Sequence, residues 1–233
     1  MMKKILFAFV ISSILFSCKK TEPKKEVVSK TEIDKLDKSK AKITPISHST
    51  AVIEFGKEII YLDPTGGAVA FSKFKKPSYV LITDIHGDHM NIKTLNALDL
   101  KETTIIAPKA VAEKMITVDA KQVVIINNGD TKSMNNFTIE AIPMYNLREE
   151  ALKFHTKGRG NGYILTVGNE RIYFSGDRED IPEMRNLKSI DKAFVCMNLP
   201  YTMTVESAAD GVLAFQPKKV YPYHYRGTNG LSD

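Results

Sequence analysis

The chain has 233 residues, a length that fits one domain or one domain with a short appendage. Hydrophobic residues make up 43% and charged residues 26%, as in average soluble proteins, which excludes collagen-like, wholly disordered and multi-span membrane proteins. The net charge is +6, but Lys3, Lys4 and a lysine excess in residues 19–40 carry five of these charges, so the nearly neutral remainder argues against nucleic-acid binding.

The first seventeen residues are predicted to be a bacterial lipoprotein signal peptide. Met1–Lys4 is basic, and Ile5–Phe16 is an apolar run too short to span a bilayer comfortably. The run ends at Leu15-Phe16-Ser17-Cys18, which resembles a lipobox, although Phe16 is larger than the residue usual at that position. The resemblance implies cleavage before Cys18 and lipidation of its thiol, with an ordinary buried N-terminal helix as the alternative.

Residues 18–41 are predicted to be a disordered tether that begins at the lipidated Cys18. The segment is rich in Lys, Glu and Ser and nearly free of large apolar side chains, so burial cannot offset the entropy of ordering it. A frayed helix around Lys30–Lys40 is the alternative. The tether would hold the body, residues 42–233, on a membrane of the bacterial cell envelope, facing the periplasm or the cell surface.

From Lys42 onward, predicted strands and helices alternate. Two hairpins, with turns at Gly56-Lys57 and Gly168-Asn169, occur among single strands and single helices. This combination predicts two sheets with helices outside them, an α/β layered sandwich. The predicted strands are Ala51–Phe55, Glu58–Leu62, Tyr79–Thr83, Thr103–Ala107, Gln122–Ile126, Phe137–Ile142, Tyr163–Val167, Arg171–Phe174, Ala193–Met197 and Lys219–Tyr223, and the predicted helices are Ile92–Leu98, Pro108–Met115 and Val205–Phe215.

A dense cluster of polar residues follows the apolar strand Tyr79–Thr83. Two of the five histidines and two aspartates lie within six positions, as Asp84, His86, Asp88 and His89. Imidazole and carboxylate are groups that bind Zn²⁺ in proteins, and residues two apart on an extended segment point the same way. The cluster therefore predicts a metal site, with a polar loop that caps the next helix as the alternative.

The same segment resembles the signature of the metallo-β-lactamase superfamily, in which His-x-His-x-Asp-His follows a strand. The resemblance extends from about residue 43 to residue 227 and is closest to the metal-dependent hydrolases that include ascorbate-lactonase-like proteins. It implies an α/β fold for residues 42–233, an αββα sandwich of the metallo-β-lactamase type. The other family elements are matched in chain order. Asp63 lies before the cluster, and His155, Asp177 and His224 follow it.

The resemblance also implies a ligand set for two divalent metal ions, expected to be zinc, with manganese or iron as alternatives. Asp177 would bridge the two ions, and Asp63 would be structural. Tyr145-Asn146 is an alternative to His155, which could instead be a solvated loop histidine. The first site would be formed by Asp84, His86 and His155, and the second by Asp88, His89 and His224.

Two features depart from the family pattern. Asp84 stands where the family has its first histidine, so the first site would prefer Mn²⁺ or Fe²⁺ over Zn²⁺ or would fill poorly. The chain also ends nine residues after His224, where the family normally closes with another helix. The sequence is therefore expected to be either truncated or a variant without that helix.

The implied function is that of a lipid-anchored, metal-dependent hydrolase acting on a small molecule. A metal-bound hydroxide, oriented by Asp88 as the catalytic residue, would attack an ester, lactone or phosphodiester. The alternatives are a non-catalytic protein or a redox-active iron protein on the same fold, since Asp84 would mark a degenerate first site. His48 is expected to be structural or exposed. Candidate substrate contacts, with turn or surface roles as alternatives, are Arg159, Asn161 and Tyr201.

Overall fold

Two six-stranded β-sheets form the centre of the computed structural model, which describes residues 40–232. The predicted signal peptide, Cys18 and all but the last two residues of the predicted tether lie outside this range. Ala41 is already buried, and its backbone N–H donates to the Glu170 carboxylate at 3.0 Å. Within the described range, no helix is long and apolar enough to cross a membrane.

The first sheet begins with an antiparallel meander and continues with parallel strands. Five of its six strands lie at predicted positions. The first strand was not predicted, because Pro45 interrupts it and its apolar residues do not alternate cleanly. In spatial order the strands are β1 (Lys42–Ser47), β2 (Thr50–Phe55), β3 (Glu58–Leu62), β4 (Tyr79–Leu81), β5 (Leu100–Ala107) and β6 (Ala120–Ile125), with parallel pairing from β3 onward.

The second sheet repeats this order of antiparallel strands followed by parallel ones. Its first strand was not predicted, because its three residues are all exposed and show no apolar pattern. The strands are β7 (Thr131–Ser133), β8 (Thr138–Met144), β9 (Gly160–Val167), β10 (Glu170–Phe174), β11 (Lys192–Val195) and β12 (Lys219–Pro222), parallel from β10 onward. A small antiparallel pair follows, formed by β13 (Arg226–Gly227) and β14 (Gly230–Leu231).

The described residues contain four α-helices: α1 (Ile92–Ala97), α2 (Lys109–Ala112), α3 (Pro182–Arg185) and α4 (Val205–Phe215). The last has its predicted bounds, because the Thr204 hydroxyl accepts the Ser207 backbone N–H and Gln216 ends the helix in a left-handed conformation. The predicted helix Pro108–Met115 is too long, since the chain leaves the helix after one turn and exposes Ile116. Short 3₁₀ turns occur at Ala68–Phe71 and Glu149–Ala151.

The core has two parts, one on each face of the first sheet. Val52 and Ile53 are neighbours on β2 that point to opposite faces, and both are fully buried. Such strands need cover on both sides. One cluster joins the outer face to the helices, where Leu95 of α1 and Val111 of α2 are buried. The other cluster includes the face toward the second sheet. Helix α4 covers the far side of the second sheet, where Phe215 packs on Tyr173. The predicted αββα sandwich is confirmed.

The polar residues singled out in the sequence follow strand ends at one edge of this sandwich. Asp63 follows β3 and the polar cluster follows β4, while Asp177 follows β10 and His224 follows β12. Each pair belongs to strands that run parallel within one sheet, so their carboxyl ends lie at the same edge. This is the position where open α/β sheets bind their ligands.

Candidate metal centre

Asp63 anchors the loop that carries the polar cluster. It is fully buried and adopts a left-handed φ of 43° after β3. Its Oδ1 accepts the backbone N–H of Thr83 at 2.8 Å, and its Oδ2 accepts the Thr83 hydroxyl at 2.6 Å. These bonds hold the end of β4 where the polar loop begins. Burial raises the pKa of Asp63, although the neighbouring His89 acts in the opposite direction.

His89 has one ring nitrogen held by Asp63 and the other directed into the cluster. Its Nδ1 lies 2.7 Å from Asp63 Oδ2, which fixes the ring, and its Nε2 lies 3.3 Å from Asp177 Oδ2. Burial alone would lower the pKa of His89, but Asp177 and Asp63 together raise it well above its usual value. A metal ion that binds at Nε2 must therefore displace a proton from this ring.

Asp177 lies at the centre of the cluster. Its Oδ2 is 3.3 Å from His89 Nε2 and 3.4 Å from His155 Nε2, and its Oδ1 is 3.5 Å from His224 Nδ1. The preceding Gly176 has a φ of 62°, and a Cβ there would lie 2.9 Å from the Asn161 carbonyl oxygen, so only glycine fits this turn. Burial would raise the pKa of Asp177, but His224 and His89 hold it well below its usual range.

His155 belongs to the cluster, and Asn146 supports it from behind. The His155 Nδ1 lies 3.1 Å from the Tyr201 carbonyl oxygen, which leaves Nε2 directed at Asp177. Asn146 Nδ2 donates to the same carbonyl oxygen at 2.6 Å and lies 3.2 Å from His155 Nδ1. Of the two alternatives in the sequence, His155 is thus the one whose free nitrogen faces the other candidate ligands.

Asp88 and His224 form the outer part of the cluster, together with a residue not predicted there. His224 Nε2 lies 3.2 Å from Asp88 Oδ2, and His48 Nε2 approaches the same oxygen at 3.4 Å. The His48 and His224 rings lie with their centroids 3.8 Å apart and their planes tilted by 35°. The Ser49 hydroxyl donates to the Asp88 carbonyl oxygen at 2.9 Å and holds the β1–β2 turn against the loop. Burial would raise the pKa of Asp88, but the hydrogen bonds from His224 and His48 lower it.

Asp84 and His86 are grouped with His155. Asp84 is fully buried, and Arg159 donates to both of its oxygens, from Nε at 3.0 Å and from Nη2 at 2.9 Å. His86 Nδ1 lies 2.7 Å from Asp84 Oδ2, and its ring packs edge-on to His155. Arg159 therefore contacts the cluster through Asp84. Asn161 is buried and donates to the Ile126 carbonyl oxygen, a structural role.

The arrangement fits divalent metal ions. Within residues 40–232, four buried ligand atoms have no hydrogen-bond partner: His89 Nε2, His155 Nε2, Asp177 Oδ1 and His224 Nδ1. A buried polar atom without a partner costs about 1–3 kcal/mol, and coordination to a metal would remove that cost. All seven predicted ligands, with His48 in addition, fall into three groups whose ligand atoms lie within 4.8 Å of one another: Asp84, His86 and His155; His89, Asp177 and His224; and His48, Asp88 and His224.

Comparisons with known proteins agree with this geometry. A metal-dependent hydrolase of the UPF0173 group from Desulforamulus reducens is 28% identical over 200 residues, covering 79% of this chain and 84% of its own. A Pyrococcus furiosus protein of the same description is 29% identical with the same coverage. A crystal structure from Parabacteroides distasonis, provisionally described as a metal-dependent hydrolase, has 40% identity and a TM-score of 0.73, covering 79% of this chain and 82% of that one.

More distant structures share the fold alone. The metallo hydrolase Igni18 from Ignicoccus hospitalis is 21% identical with a TM-score of 0.63, covering 79% of this chain and 82% of that one.

The family model described as a β-lactamase superfamily domain matches residues 42–224, from the first strand to the last predicted ligand. The chain therefore belongs to the metallo-β-lactamase superfamily.

Proposed function

We propose that this protein is a two-metal hydrolase that cleaves an ester, lactone or phosphodiester. The observation that carries the proposal is the set of four buried, unpartnered ligand atoms around Asp177. Asp177 lies within 3.3–3.5 Å of the three histidine nitrogens, but none of the four atoms has a hydrogen-bond partner among the described residues, and metal binding would supply a partner to all of them. The description of the relatives from D. reducens and P. furiosus as metal-dependent hydrolases supports the same reaction class.

The proposed ligands divide into two positions that share Asp177. His86 and His155 belong to the first position, and Asp88, His89 and His224 to the second. When bound, divalent ions would lower the pKa of coordinated water from about 16 to about 7 and polarise the oxygen of the scissile bond. Zinc suits the imidazole-rich set, and manganese or iron would suit its carboxylates.

Asp88 is the group we assign to orienting the attacking water. Its side chain is 45% exposed, whereas Asp63, Asp84 and Asp177 are buried. Its Oδ2 faces His224 and His48, and its Oδ1, 4.0 Å from His89 Nε2, is the oxygen we assign to accept a hydrogen bond from water at the surface of the cluster. The lowered pKa of Asp88 keeps it a carboxylate at neutral pH, so it can accept this bond.

The test is metal content followed by an activity panel. We expect protein reconstituted with Zn²⁺ or Mn²⁺ to hold two ions per chain by elemental analysis. It should hydrolyse at least one ester, lactone or phosphodiester, and a chelator should abolish this turnover until metal is restored. No bound metal after reconstitution would overturn the proposal. Two ions without turnover on the whole panel would favour a binding protein, and a visible absorption band in anaerobically purified iron protein would favour redox chemistry.

We also propose that the protein is anchored to the cell envelope through lipid on Cys18, on the strength of the lipobox-like Leu15-Phe16-Ser17-Cys18. We expect Cys18→Ser to move the protein from the membrane fraction to the soluble or unprocessed fraction and to abolish labelling by a fatty-acid analogue. Cys196→Ala is the matched control, because Cys196 is buried in the folded body and its removal should leave labelling unchanged. Labelling that survives Cys18→Ser would contradict the anchor.

A further inference from the structure

The two oxygens of Asp84 already have partners within the protein. Arg159 donates to both of them through a two-point contact of 3.0 and 2.9 Å. Oδ2 also lies 2.7 Å from His86 Nδ1. By contrast, the nearest approach of Asp84 to the free nitrogen of His155 is 3.9 Å. The carboxylate is therefore directed at its supporting residues more closely than at the proposed metal position.

The contact of the Asp84 carboxylate with His86 Nδ1 repeats a pattern seen at two other histidines of the cluster. The Nδ1 of His89 contacts the Asp63 carboxylate at 2.7 Å, and the Nδ1 of His155 contacts the Tyr201 carbonyl oxygen at 3.1 Å. In both rings the Nε2 atom faces Asp177. A neutral histidine that binds metal through one nitrogen commonly donates the other N–H to a carboxylate or carbonyl group, which fixes its tautomer and orientation.

The packing around Asp84 limits its movement toward the cluster. Arg159 is anchored in turn, because its Nη2 also donates to the Phe154 carbonyl oxygen. The first residue of β9, Gly160, lies so close that an added Cβ would be 3.2 Å from Asp84 Oδ1 and 2.9 Å from the Thr83 carbonyl oxygen. Asp84 is thus enclosed by Arg159 and by the start of β9, and Arg159 balances its negative charge.

We propose that Asp84 and Arg159 form a positioning pair for His86 and that Asp84 is not itself a metal ligand. The first metal position would then be held by His86, His155 and Asp177. This inference rests on the proposed two-metal function and assigns Asp84 a role other than the one implied by the family motif. The first site would then have one carboxylate ligand, Asp177, where the family motif carried over to this sequence implies two, so its ligands would carry one negative charge fewer.

Arg159→Met tests whether Arg159 supports the first metal position through Asp84 or withholds Asp84 from it, because these two roles predict opposite effects. If Asp84 positions His86, removal of the guanidinium should weaken metal binding at the first position about 10- to 100-fold, measured by competition with a chromogenic chelator. Arg159→Lys, which keeps the charge without the two-point contact, should recover part of this loss. If Arg159 instead withholds a ligand, Arg159→Met should strengthen binding. Unchanged or stronger binding overturns the inference.

Arg171→Met is the matched control. Arg171 donates to both oxygens of Glu140, from Nη1 at 2.6 Å and from Nη2 at 3.4 Å, and Glu140 lies outside the groups of candidate ligands. The Arg171→Met variant should lower the thermal midpoint without changing metal affinity. A second readout is the visible spectrum of Co²⁺-loaded Asp84→Asn, in which the first-site bands should keep their energies if Asp84 is not a ligand; shifted bands overturn the inference. Absence of metal from the unmodified protein would instead reject the proposed function.

Discussion

Asp177→Asn should remove both metal ions and lower the rate of hydrolysis by more than about 100-fold. Loss of a residue that only supports a ligand costs up to about 100-fold, and Asp177 is itself a proposed ligand. Asp177 is the residue that contacts histidines of both proposed positions, with 3.4 Å to His155 and 3.3 Å to His89. The amide has nearly the same shape but no negative charge to offset two divalent ions. Elemental analysis and turnover of the reconstituted variant measure the effect.

The fold of the Asp177→Asn variant is expected to survive. His89 should bind its proton less tightly in this variant, because the Asp177 charge helps to raise the pKa of His89. Asp210→Asn is the control, since Asp210 is exposed on α4 and far from the ligand groups. An Asp177→Asn protein that retains two ions per chain would contradict the bridging role.

The strand-end positions of the candidate ligands were predictable from the sequence, because the pattern of apolar strands is local. Tyr79–Leu81 and Glu170–Phe174 are short apolar or alternating runs, and the polar residues after them must emerge at a sheet edge. The spacing after the strand then identifies the family signature. The end of α4 was equally local, because Thr204 and Gln216 supply the two helix caps.

The contributions of His48 and Arg159 were not predictable from local pattern. His48 reaches Asp88 because the β1–β2 turn has a left-handed φ of 54° at this histidine and docks through Ser49. Arg159 pairs with Asp84 across 75 positions of sequence. Both contacts depend on how two loops meet at the edge of the sandwich. A lone histidine before a hairpin and a lone arginine in a loop carry no signal of such a meeting.

The choice between His155 and Tyr145-Asn146 as the candidate ligand also required the structure. The sequence offered both His155 and Tyr145-Asn146 at comparable distances from neighbouring strands. Distance decides which of them faces the cluster, because His155 Nε2 lies 3.4 Å from Asp177 Oδ2, whereas Asn146 Nδ2 donates to the Ala151 and Tyr201 carbonyl oxygens. Asn146 Oδ1 and His155 Nε2 are both buried without a hydrogen-bond partner in the described part of the chain, so a missing partner alone does not separate the two residues.

Substitution of Asp63 should separate the stability of the fold from the metal chemistry. Asp63→Ala leaves the Thr83 backbone N–H and His89 Nδ1 without their buried acceptor. Removal of one partner from a buried ionic pair costs about 3–5 kcal/mol. Urea unfolding of the metal-free protein should show this loss. Asp119→Asn, at an exposed ion pair with Lys101, is the control and should leave the unfolding midpoint unchanged.

Asp63→Asn should retain more stability than the alanine variant but lose the second metal ion. The asparagine oxygen can still accept the Thr83 N–H, while its amide N–H would face His89 Nδ1. A histidine that accepts at Nδ1 carries its proton on Nε2, the nitrogen directed at Asp177, and cannot bind metal there. Affinity at the second position should fall about 10- to 100-fold or more, as measured by chelator competition. Equal metal affinity in Asp63→Asn and the unmodified protein would show that Asp63 does not set the tautomer of His89.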